Sequence, residues 1–429
     1  MSSIQIKSDI SMMLTQEELL KFLDYKEQKS FLTENEKESI AKYIRNETYI
    51  KQRDAINNEK FPEKIATKKI ISKEGTKKKR VVYTYDDEIN VTLKFIAYKL
   101  HEFDYLFYDN CYSFRKNYGV IDAINNIKKI PKLADKYCLK VDISNYFNSM
   151  NIDILLDKLS PVAKVDNRLY KIFENILKQE YVCEKGSFIR EKHGGMAGIP
   201  VSPFFANMYM RDVDRYFQKN EIKYYRYSDD ILMFADSYEE LIDYKTKLYK
   251  MIDKLELEVN KEKEAVILPG NTWEFLGFSY KDGEIDLSDN TIRKLKSKIK
   301  RKANALRRWQ RQKGLSWDKA AKGFINCMNK KFYGRVNLGH ASKSSKTQME
   351  DFADFTWSRW FFPNITTDKS LKIIDEYMQE YIRYCITGRH YKGNYRIKYS
   401  DLKELGYRNL VNEYYKANNN QKSTGGNVQ

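Results

Sequence analysis

Residues 224–234 read Tyr-Tyr-Arg-Tyr-Ser-Asp-Asp-Ile-Leu-Met-Phe. Two aromatic and apolar runs flank a short Ser-Asp-Asp tip, which predicts a β-hairpin with a tight turn. The adjacent carboxylates of Asp229 and Asp230 repel each other there, and neither has a basic neighbour on the downstream strand. A divalent cation would relieve that repulsion. An isolated Asp-Asp pair is more often a solvated turn, so other parts of the sequence must distinguish the two interpretations.

A second acidic strand end lies upstream of the hairpin. Residues 139–142 read Leu-Lys-Val-Asp, an apolar strand that ends in an acid, and Ile-Ser-Asn-Tyr-Phe follows. If the two strands are neighbours, Asp142 and Asp229 converge. Together they could hold two Mg²⁺ ions roughly 3.5–4 Å apart, the arrangement used for in-line phosphoryl transfer. The three carboxylates therefore favour a nucleotidyl-transfer site.

The charge of the chain indicates a polyanionic partner. Its 429 residues include 77 Lys and Arg against 59 Asp and Glu, a net charge of +18. Residues 291–350 hold 18 basic residues against two acids and so carry +16 of that total. Nucleic acid is the first candidate partner and an acidic membrane the second. An apolar fraction of 42% with 33 Tyr and 22 Phe excludes a disordered chain.

Several protein classes are disfavoured. No apolar run reaches the roughly 18–20 residues of a membrane span, and the N-terminus lacks the pattern of a signal peptide. The five cysteines are widely spaced without a CxxC pair, and no two of the four histidines stand at metal-ligand spacing. These spacings argue against a disulfide framework, a zinc site and a His-metal hydrolase. We expect a cytoplasmic protein that does not bind a membrane.

Short strands and helices alternate along the chain, an α+β pattern. Residues 11–60 predict charged amphipathic helices, and residues 67–85 predict a basic β-hairpin. Between 136 and 290, five β-like runs alternate with helical stretches: CLKVDI, YYRY, ILMF, EAVIL and EFLGFSY. After Ser288 the sequence becomes helical and basic, and the polar tail from 417 predicts disorder.

Six elements resemble the motifs of reverse transcriptases, and they occur along the chain in the order that this family has. Tyr227-Ser228-Asp229-Asp230 resembles the YxDD box, and residues 142–147 resemble the motif of the first catalytic aspartate. The other four are Phe114-Arg115 of the fingers, the glycine-rich GGMAGIPVSPFFAN at 194–207, the N-x-x-K element at 257–263 and the FLGF primer-grip hairpin at 275–278. One YxDD alone is a weak signal. The ordered set spans roughly residues 68 to 290 and is specific.

The resemblance implies a right-hand polymerase fold of fingers, palm and thumb. A helical N-terminal extension would occupy residues 1–66, the fingers 67–135 and the palm 136–287, with finger insertions around 160–205. A helical basic thumb and C-terminal region would occupy 288–416, followed by a disordered tail at 417–429.

The resemblance also implies roles for individual residues. Asp142, Asp229 and Asp230 would be the catalytic carboxylates, and together with Ile143 they would hold two Mg²⁺ ions. Phe147 would exclude a ribose 2′-hydroxyl and so select dNTPs. The other implied nucleotide-binding residues are Lys73, Lys79, Arg80, Gly198 and Lys263, the last to neutralise charge on the leaving pyrophosphate. The structural alternatives are a core Phe147, a solvated surface Lys263 and a merely solvated basic hairpin.

The C-terminal third predicts a surface for nucleic acid. Residues 291–302 fit a helix with one apolar stripe and basic residues elsewhere, and residues 307–311 set a Trp ring among guanidiniums. A helix that follows a phosphate backbone needs these groups. The predicted nucleic-acid-binding residues are Arg115, Arg293, Lys294, Arg307, Arg308, Trp309 and Arg311. The alternatives are an ordinary solvated basic helix and a calmodulin- or membrane-binding helix.

Among reverse transcriptases, the chain resembles the stand-alone, defence-associated "unknown group" of bacteria, related to retron and group II intron enzymes. Trp357, Trp360 and residues 406–415 carry that resemblance, and Met196-Ala197 stand where many relatives have Pro-Gln. This implies a polymerase that copies an associated non-coding RNA into cDNA from dNTPs, in anti-phage defence. Two alternatives stay open: a template-independent or protein-primed DNA polymerase of the abortive-infection type, and a maturase-like RNA-binding protein without polymerase activity.

Overall fold

The computed structural model describes residues 9–29, 32–72, 79–334 and 356–424. The chain forms two compact units, Met1–Pro269 and Gly270–Gln429. Both units contain helices and strands, which confirms the α+β prediction. Within the described ranges, no helix is long and apolar enough to cross a bilayer.

Four helices begin the first unit, as the amphipathic pattern predicts. They are α1 (Ile10–Met13), α2 (Gln16–Lys29), α3 (Glu34–Arg45) and α4 (Thr48–Asn57). Thr33 and Glu36 form a capping box at the start of α3, which satisfies backbone N–H groups that a helix leaves unpaired at its N-terminus. Phe22 of α2 and Ile40 of α3 are buried in the large core of this unit.

The predicted basic hairpin is present as β1 (Thr67–Ser72) and β2 (Lys79–Thr84), and we call its sheet the finger sheet. The hairpin is antiparallel, with Thr67 opposite Thr84 and Ser72 opposite Lys79. Two later strands, β4 (Tyr181–Glu184) and β5 (Ser187–Arg190), complete the strand order β2-β1-β4-β5. The helices α5 (Asp87–Lys99) and α6 (Val120–Lys128) follow the hairpin.

A four-stranded antiparallel sheet, the palm sheet, forms the centre of the first unit. Its strands are β3 (Tyr137–Asp142), β6 (Lys223–Tyr227), β7 (Asp230–Ala235) and β8 (Ala265–Ile267), in the order β6-β7-β3-β8. Leu139 and Val141 of β3 and Ile231 and Met233 of β7 are buried. The apolar runs that flank the acidic residues in the sequence therefore form the central strands.

Five helices accompany the palm sheet. They are α7 (Tyr146–Ser149), α8 (Ile152–Ala163), α9 (Asn167–Leu177), α10 (Ser202–Lys219) and α11 (Tyr238–Lys254). The longest, α10, begins at the end of the glycine-rich segment with Pro203 in its first turn, where a missing N–H costs nothing. Phe205 and Met208 of α10 are fully buried, so this helix is part of the core beside the palm sheet.

The second unit starts with a three-stranded sheet and continues as helices. Its strands β9 (Trp273–Phe275), β10 (Phe278–Lys281) and β11 (Glu284–Leu287) have the order β11-β10-β9. The helices are α12 (Asp289–Lys313), α13 (Trp317–Tyr333), α14 (Trp357–Phe361), α15 (Lys369–Thr387), α16 (Tyr399–Glu404) and α17 (Leu410–Thr424). The division between the two compact units falls at 269/270, and the palm boundary at 287 stays a prediction. The helix α17 extends to Thr424 and so enters the stretch 417–429 that the sequence predicts to be disordered.

A buried carboxylate fixes the start of the last helix. Asp375 of α15 accepts hydrogen bonds from the Leu410 N–H at 2.9 Å, the Val411 N–H at 3.0 Å and the Tyr407 hydroxyl at 2.6 Å. A carboxylate at a helix N-terminus accepts hydrogen bonds from otherwise unpaired N–H groups, and its negative charge interacts favourably with the helix dipole. Asp375 therefore joins α15 to α17 within the second unit.

Candidate active site

The palm sheet brings the three acidic residues to one edge. Tyr227 pairs with Asp230 across the β6–β7 hairpin, so Ser228 and Asp229 form its two-residue turn. On the other side of β7, Asp142 stands opposite Asp230 in the β3–β7 register. The Ile143 N–H donates to the Asp229 carbonyl at 3.2 Å. The strand neighbourhood expected from the sequence is therefore present.

The carboxylates at this edge repel one another. Burial raises the pKa of Asp229, and the negative charge of Asp142 raises it further. Burial, followed by the charges of Asp229 and Asp142, raises the pKa of Asp230 to about 6. Two carboxyl groups with raised pKa values next to a third are what a cation site requires, since a bound cation would favour their ionised forms.

Two side chains after α11 bind Asp142. The Lys263 Nζ lies 2.5 Å from Asp142 Oδ2, and the Asn260 amide donates to Asp142 Oδ1 at 3.1 Å. Burial acts to lower the pKa of Lys263, but its hydrogen bond to Asp142 and the nearby negative charges outweigh burial and raise it. Both oxygens of Asp142 are thus occupied. Asn260 stands in the N-x-x-K element, yet sequence reasoning did not identify it as a site residue.

The side chains at this edge are of the type that binds a divalent cation, but they are not yet arranged around one ion. Three carboxylates supply the oxygen ligands that Mg²⁺ prefers, and Ile143 is buried directly beside them. Within the part of the chain that the structure describes, no three His, Cys, Asp or Glu side chains are grouped to hold one metal ion. Asp142 would have to exchange Lys263 for the cation.

Phe147 and Arg80 come together beside this edge. Phe147 is half-buried and packs against Tyr146, with ring centres 5.6 Å apart, and against Phe114 at 6.3 Å. The guanidinium of Arg80, from β2, lies 5.9 Å from the centre of the Phe147 ring. Arg80 and its neighbour Lys79 are exposed. Lys73, the third basic residue predicted for this hairpin, lies outside the described residues.

The glycine-rich segment packs directly on β2. Gly198 has φ +108°, a left-handed value that other residues rarely adopt. A Cβ atom at this position would lie 2.9 Å from the Tyr83 carbonyl oxygen. The Tyr83 N–H donates to the Ala197 carbonyl at 2.8 Å. The structure therefore gives Gly198 a close backbone contact with the finger sheet, which requires glycine independently of any nucleotide.

Asn148 connects three parts of this site, and sequence reasoning missed it. Its Oδ1 accepts from the Ala197 N–H at 2.9 Å, and its Nδ2 donates to the Val81 carbonyl at 3.2 Å. The adjacent Phe147 carbonyl accepts from the Gly195 N–H at 2.7 Å. The residue after the predicted steric gate thus ties the glycine-rich segment to β2. Only its position next to Phe147 could have signalled this role.

Most basic residues predicted to bind nucleic acid are exposed on α12, but Arg307 is not. Arg307 is 2% exposed, stacks over Trp317 at 3.8 Å and donates to the Gln310 side chain at 3.2 Å. It follows Ala303 by four residues and so lies on the buried stripe of the helix. The exposed members of the set are Arg293, Lys294, Arg308, Trp309 and Arg311.

Arg115 is also engaged with the protein. Its Nη1 donates to the carbonyls of Tyr108 at 2.8 Å and Cys111 at 3.1 Å, and its guanidinium lies 3.8 Å from the centre of the Tyr118 ring. These contacts stabilise the segment 108–118. Arg115 therefore has a structural role in the protein, and its contact with phosphate stays a prediction.

Comparison with protein families identifies the domain that contains this site. Residues 71–280 match the family described as "Reverse transcriptase (RNA-dependent DNA polymerase)". Residues 71–280 are thus similar to a reverse transcriptase domain, and the predicted right-hand polymerase fold is confirmed. This match supports RNA-directed DNA polymerase activity. Among curated proteins, none matches the sequence significantly.

The chain is also similar to solved telomerase structures. Apo telomerase from Candida tropicalis matches with 14% identity and a TM-score of 0.44, over 84% of this chain and 73% of that one. A form truncated from the C-terminal domain matches with 14% identity and a TM-score of 0.41, over 52% and 55%. Candida albicans telomerase in complex with a fragment of telomeric RNA matches with 12% identity and a TM-score of 0.39, over 79% and 63%. The chain thus spans less than two thirds of the latter two.

The raised pKa of Asp230 predicts a pH-dependent gain in stability for Asp230→Asn. A carboxyl whose pKa is higher in the folded than in the unfolded state destabilises the fold once it ionises, so this cost is absent at low pH and grows as pH rises from about 4 to about 6. At pH 8 in EDTA, Asp230→Asn should be roughly 1–3 kcal/mol more stable than wild type. Thermal unfolding at pH 8 and pH 4.5 measures this difference.

The matched control is Asp253→Asn, an exposed aspartate of α11. It should leave the melting temperature unchanged at both pH values. A gain for Asp230→Asn of equal size at pH 4.5 and pH 8 would contradict the charge repulsion inferred here.

Proposed function

We propose that this protein is a bacterial reverse transcriptase that makes cDNA from an associated non-coding RNA and acts in anti-phage defence. The observation that supports it best is the edge of the palm sheet, where Asp142 stands in register with Asp230 and next to Asp229. That edge lies inside residues 71–280, the segment that matches the reverse transcriptase family. The defence role rests on the resemblance of the sequence to the bacterial "unknown group".

Asp142, Asp229, Asp230 and the Ile143 carbonyl would hold two Mg²⁺ ions, which when bound lower the pKa of the primer 3′-hydroxyl and stabilise charge on the leaving pyrophosphate. Until a cation binds, the ammonium group of Lys263 neutralises the charge of Asp142. The Lys263 side chain is 47% exposed. Because its four-carbon chain is flexible, the ammonium group can move away from Asp142. Released in this way, Lys263 would neutralise charge on the pyrophosphate.

The incoming nucleotide would lie between β2 and the start of α7. Arg80 and Lys79 are exposed on β2 and offer guanidinium and ammonium groups to the triphosphate. Phe147 is held between Tyr146 and Phe114, so its ring cannot turn away without disturbing both neighbours. A fixed ring at this position would exclude a ribose 2′-hydroxyl and select dNTPs.

The exposed basic residues of α12 would bind the phosphate backbone of the template and product. Residues 289–313 contain eleven Lys and Arg against Asp289 alone. Trp309 is 45% exposed between Arg308 and Arg311, and this combination suits a ribose-phosphate chain with accessible bases. The partners of the protein would therefore be the non-coding RNA, its cDNA and dNTPs.

A template-independent or protein-primed DNA polymerase is the second candidate function. Met196 and Ala197, which stand where many relatives have Pro-Gln, are 0% and 2% exposed. These two positions therefore offer no polar side chain to place a template base. A maturase-like protein without polymerase activity is disfavoured, because three mutually repelling carboxylates serve no purpose in a protein that only binds RNA.

The primary test replaces Asp229 and Asp230 together with Ala. Loss of two carboxylates should reduce dNTP incorporation on a primed RNA template on the order of 10³-fold or more, as for other groups that act as a unit. The same variant should still co-purify with the RNA that wild type retains. Asp253→Ala is the matched control and should incorporate dNTPs at the wild-type rate.

Two outcomes of this experiment would contradict the proposal. Near wild-type synthesis by the double variant would exclude the acidic edge as the active site. DNA that is made after RNase treatment and has no complement in the bound RNA would favour the template-independent candidate.

Phe147→Val should admit ribonucleotides. The smaller side chain leaves space for the 2′-hydroxyl, so the preference for dNTP over rNTP should fall at least about tenfold, a change of about 1.4 kcal/mol in discrimination. Single-nucleotide incorporation with each substrate measures this ratio. Phe188→Val, an exposed aromatic of β5, is the control and should keep the wild-type preference. An unchanged ratio for Phe147→Val would make Phe147 a packing residue only.

Replacing Arg293, Lys294, Arg308 and Arg311 with Gln should weaken RNA binding mainly at low salt. Each phosphate contact contributes about 0.7–0.9 to the slope of log affinity against log salt, so the slope should decrease by up to about 3–4. Fluorescence anisotropy from low to moderate salt measures it. The matched control removes the same charge from exposed residues of the first unit, Lys42, Lys60, Lys164 and Lys219, and should change the slope much less. Equal slopes for the two quadruple variants would exclude α12 as the binding surface.

A further inference from the structure

The turn that carries Asp229 has a backbone shape that its residues do not favour. Ser228 has φ +60°, at a position where two-residue hairpin turns usually place glycine. Side chains bind both backbone polar groups of Ser228. Its N–H donates to Ser113 Oγ at 2.9 Å, and its carbonyl accepts from Arg226 Nη1 at 3.1 Å. Two side chains outside the turn therefore fix its conformation.

Arg226 is itself held by a buried ion pair. Its side chain is 0% exposed. Its Nε donates to Asp214 Oδ1 at 2.7 Å and its Nη2 to Asp214 Oδ2 at 2.5 Å, a two-point contact that a lysine cannot reproduce. Burial acts to lower the pKa of Arg226, but the charge of Asp214 outweighs burial and raises it well above its usual value. The guanidinium is thus always charged and held in one orientation.

Helix α10 also fixes Ser113. The Ser113 hydroxyl donates to Asn207 Oδ1 at 3.0 Å, and the Asn207 amide donates to the Ser113 carbonyl at 2.7 Å. Asn207 and Asp214 are both buried residues of α10. The same helix therefore holds the group that binds the N–H of Ser228 and the group that binds its carbonyl.

We propose that Arg226, Asp214, Ser113 and Asn207 form a buried network that positions Asp229 and Asp230 for catalysis. These four act through the turn and are positioning residues. The strand register brings the like charges of Asp142, Asp229 and Asp230 together at this turn, so a turn held only by its own backbone would relax away from the φ +60° geometry. The network prevents this relaxation. The catalytic part of the proposal rests on the polymerase function proposed above.

The test compares Arg226→Lys and Ser113→Ala with wild type in two measurements. Hydrogen–deuterium exchange, read on the peptide covering 224–234 without substrate or metal, reports the turn itself. Single-turnover incorporation reports the rate constant and the dNTP dissociation constant separately. Both variants should exchange faster in this peptide, and their rate constants should fall about 10–100-fold, the effect expected of misplacing a reacting group by about 1 Å. The dNTP dissociation constant should stay within about threefold.

The matched control is Arg215→Lys, on the same helix and half-exposed, where the arginine pairs with Asp212 at 3.1 Å. It should leave both measurements unchanged. If Arg226→Lys does not fold, Ser113→Ala decides, because it removes one neutral hydroxyl and leaves the ion pair intact. Wild-type exchange and a wild-type rate constant in a folded variant would overturn the proposal. A wild type that incorporates no dNTP would refute the polymerase function, while the exchange data would still test the network.

Discussion

The register of β3 against β7 forces carboxylates together, and much of the site can be understood as a response to it. Asp142 stands opposite Asp230, and Asp229 precedes Asp230 in the turn. The resulting repulsion, added to burial, raises the pKa of Asp229 and Asp230. Lys263 and Asn260 bind Asp142 from one side, and the network around Arg226 holds the turn from the other. Without these contacts the three carboxylates would move apart and so reduce their mutual repulsion.

The finger sheet and the glycine-rich segment add the second half of the site. Gly198 approaches the β2 backbone more closely than any side chain would allow, and Asn148 links that segment to β2. Phe147 and Arg80 therefore lie near each other because of backbone contacts on either side of them. A nucleotide bound there would contact the Phe147 ring and the Arg80 guanidinium, whose backbones are already held by these contacts. Less entropy would therefore be lost on ordering the two side chains when the nucleotide binds.

The sequence predicted the parts of the fold that depend on local pattern. The apolar runs around Asp142 and Asp230, the basic hairpin at 67–85 and the amphipathic stripe of α12 are all strands or helices of the structure. It did not predict contacts between residues far apart in the chain, such as Asn260 with Asp142 or Ser113 with Ser228. For Arg307, two features of the sequence point in different directions. Its charge suggested a phosphate contact, while its four-residue spacing from Ala303 placed it on the buried stripe.

We propose above all that Asp142, Asp229 and Asp230 together bind the cations of a polymerase and that Lys263 leaves Asp142 when they do. Anomalous diffraction from crystals grown with primer–template, a non-hydrolysable dNTP analogue and Mn²⁺ tests it directly. We expect manganese within coordination distance of the three carboxylates, with Lys263 separated from Asp142. A structure with primer–template and nucleotide bound, no manganese at this edge and the Lys263–Asp142 pair intact would contradict the claim.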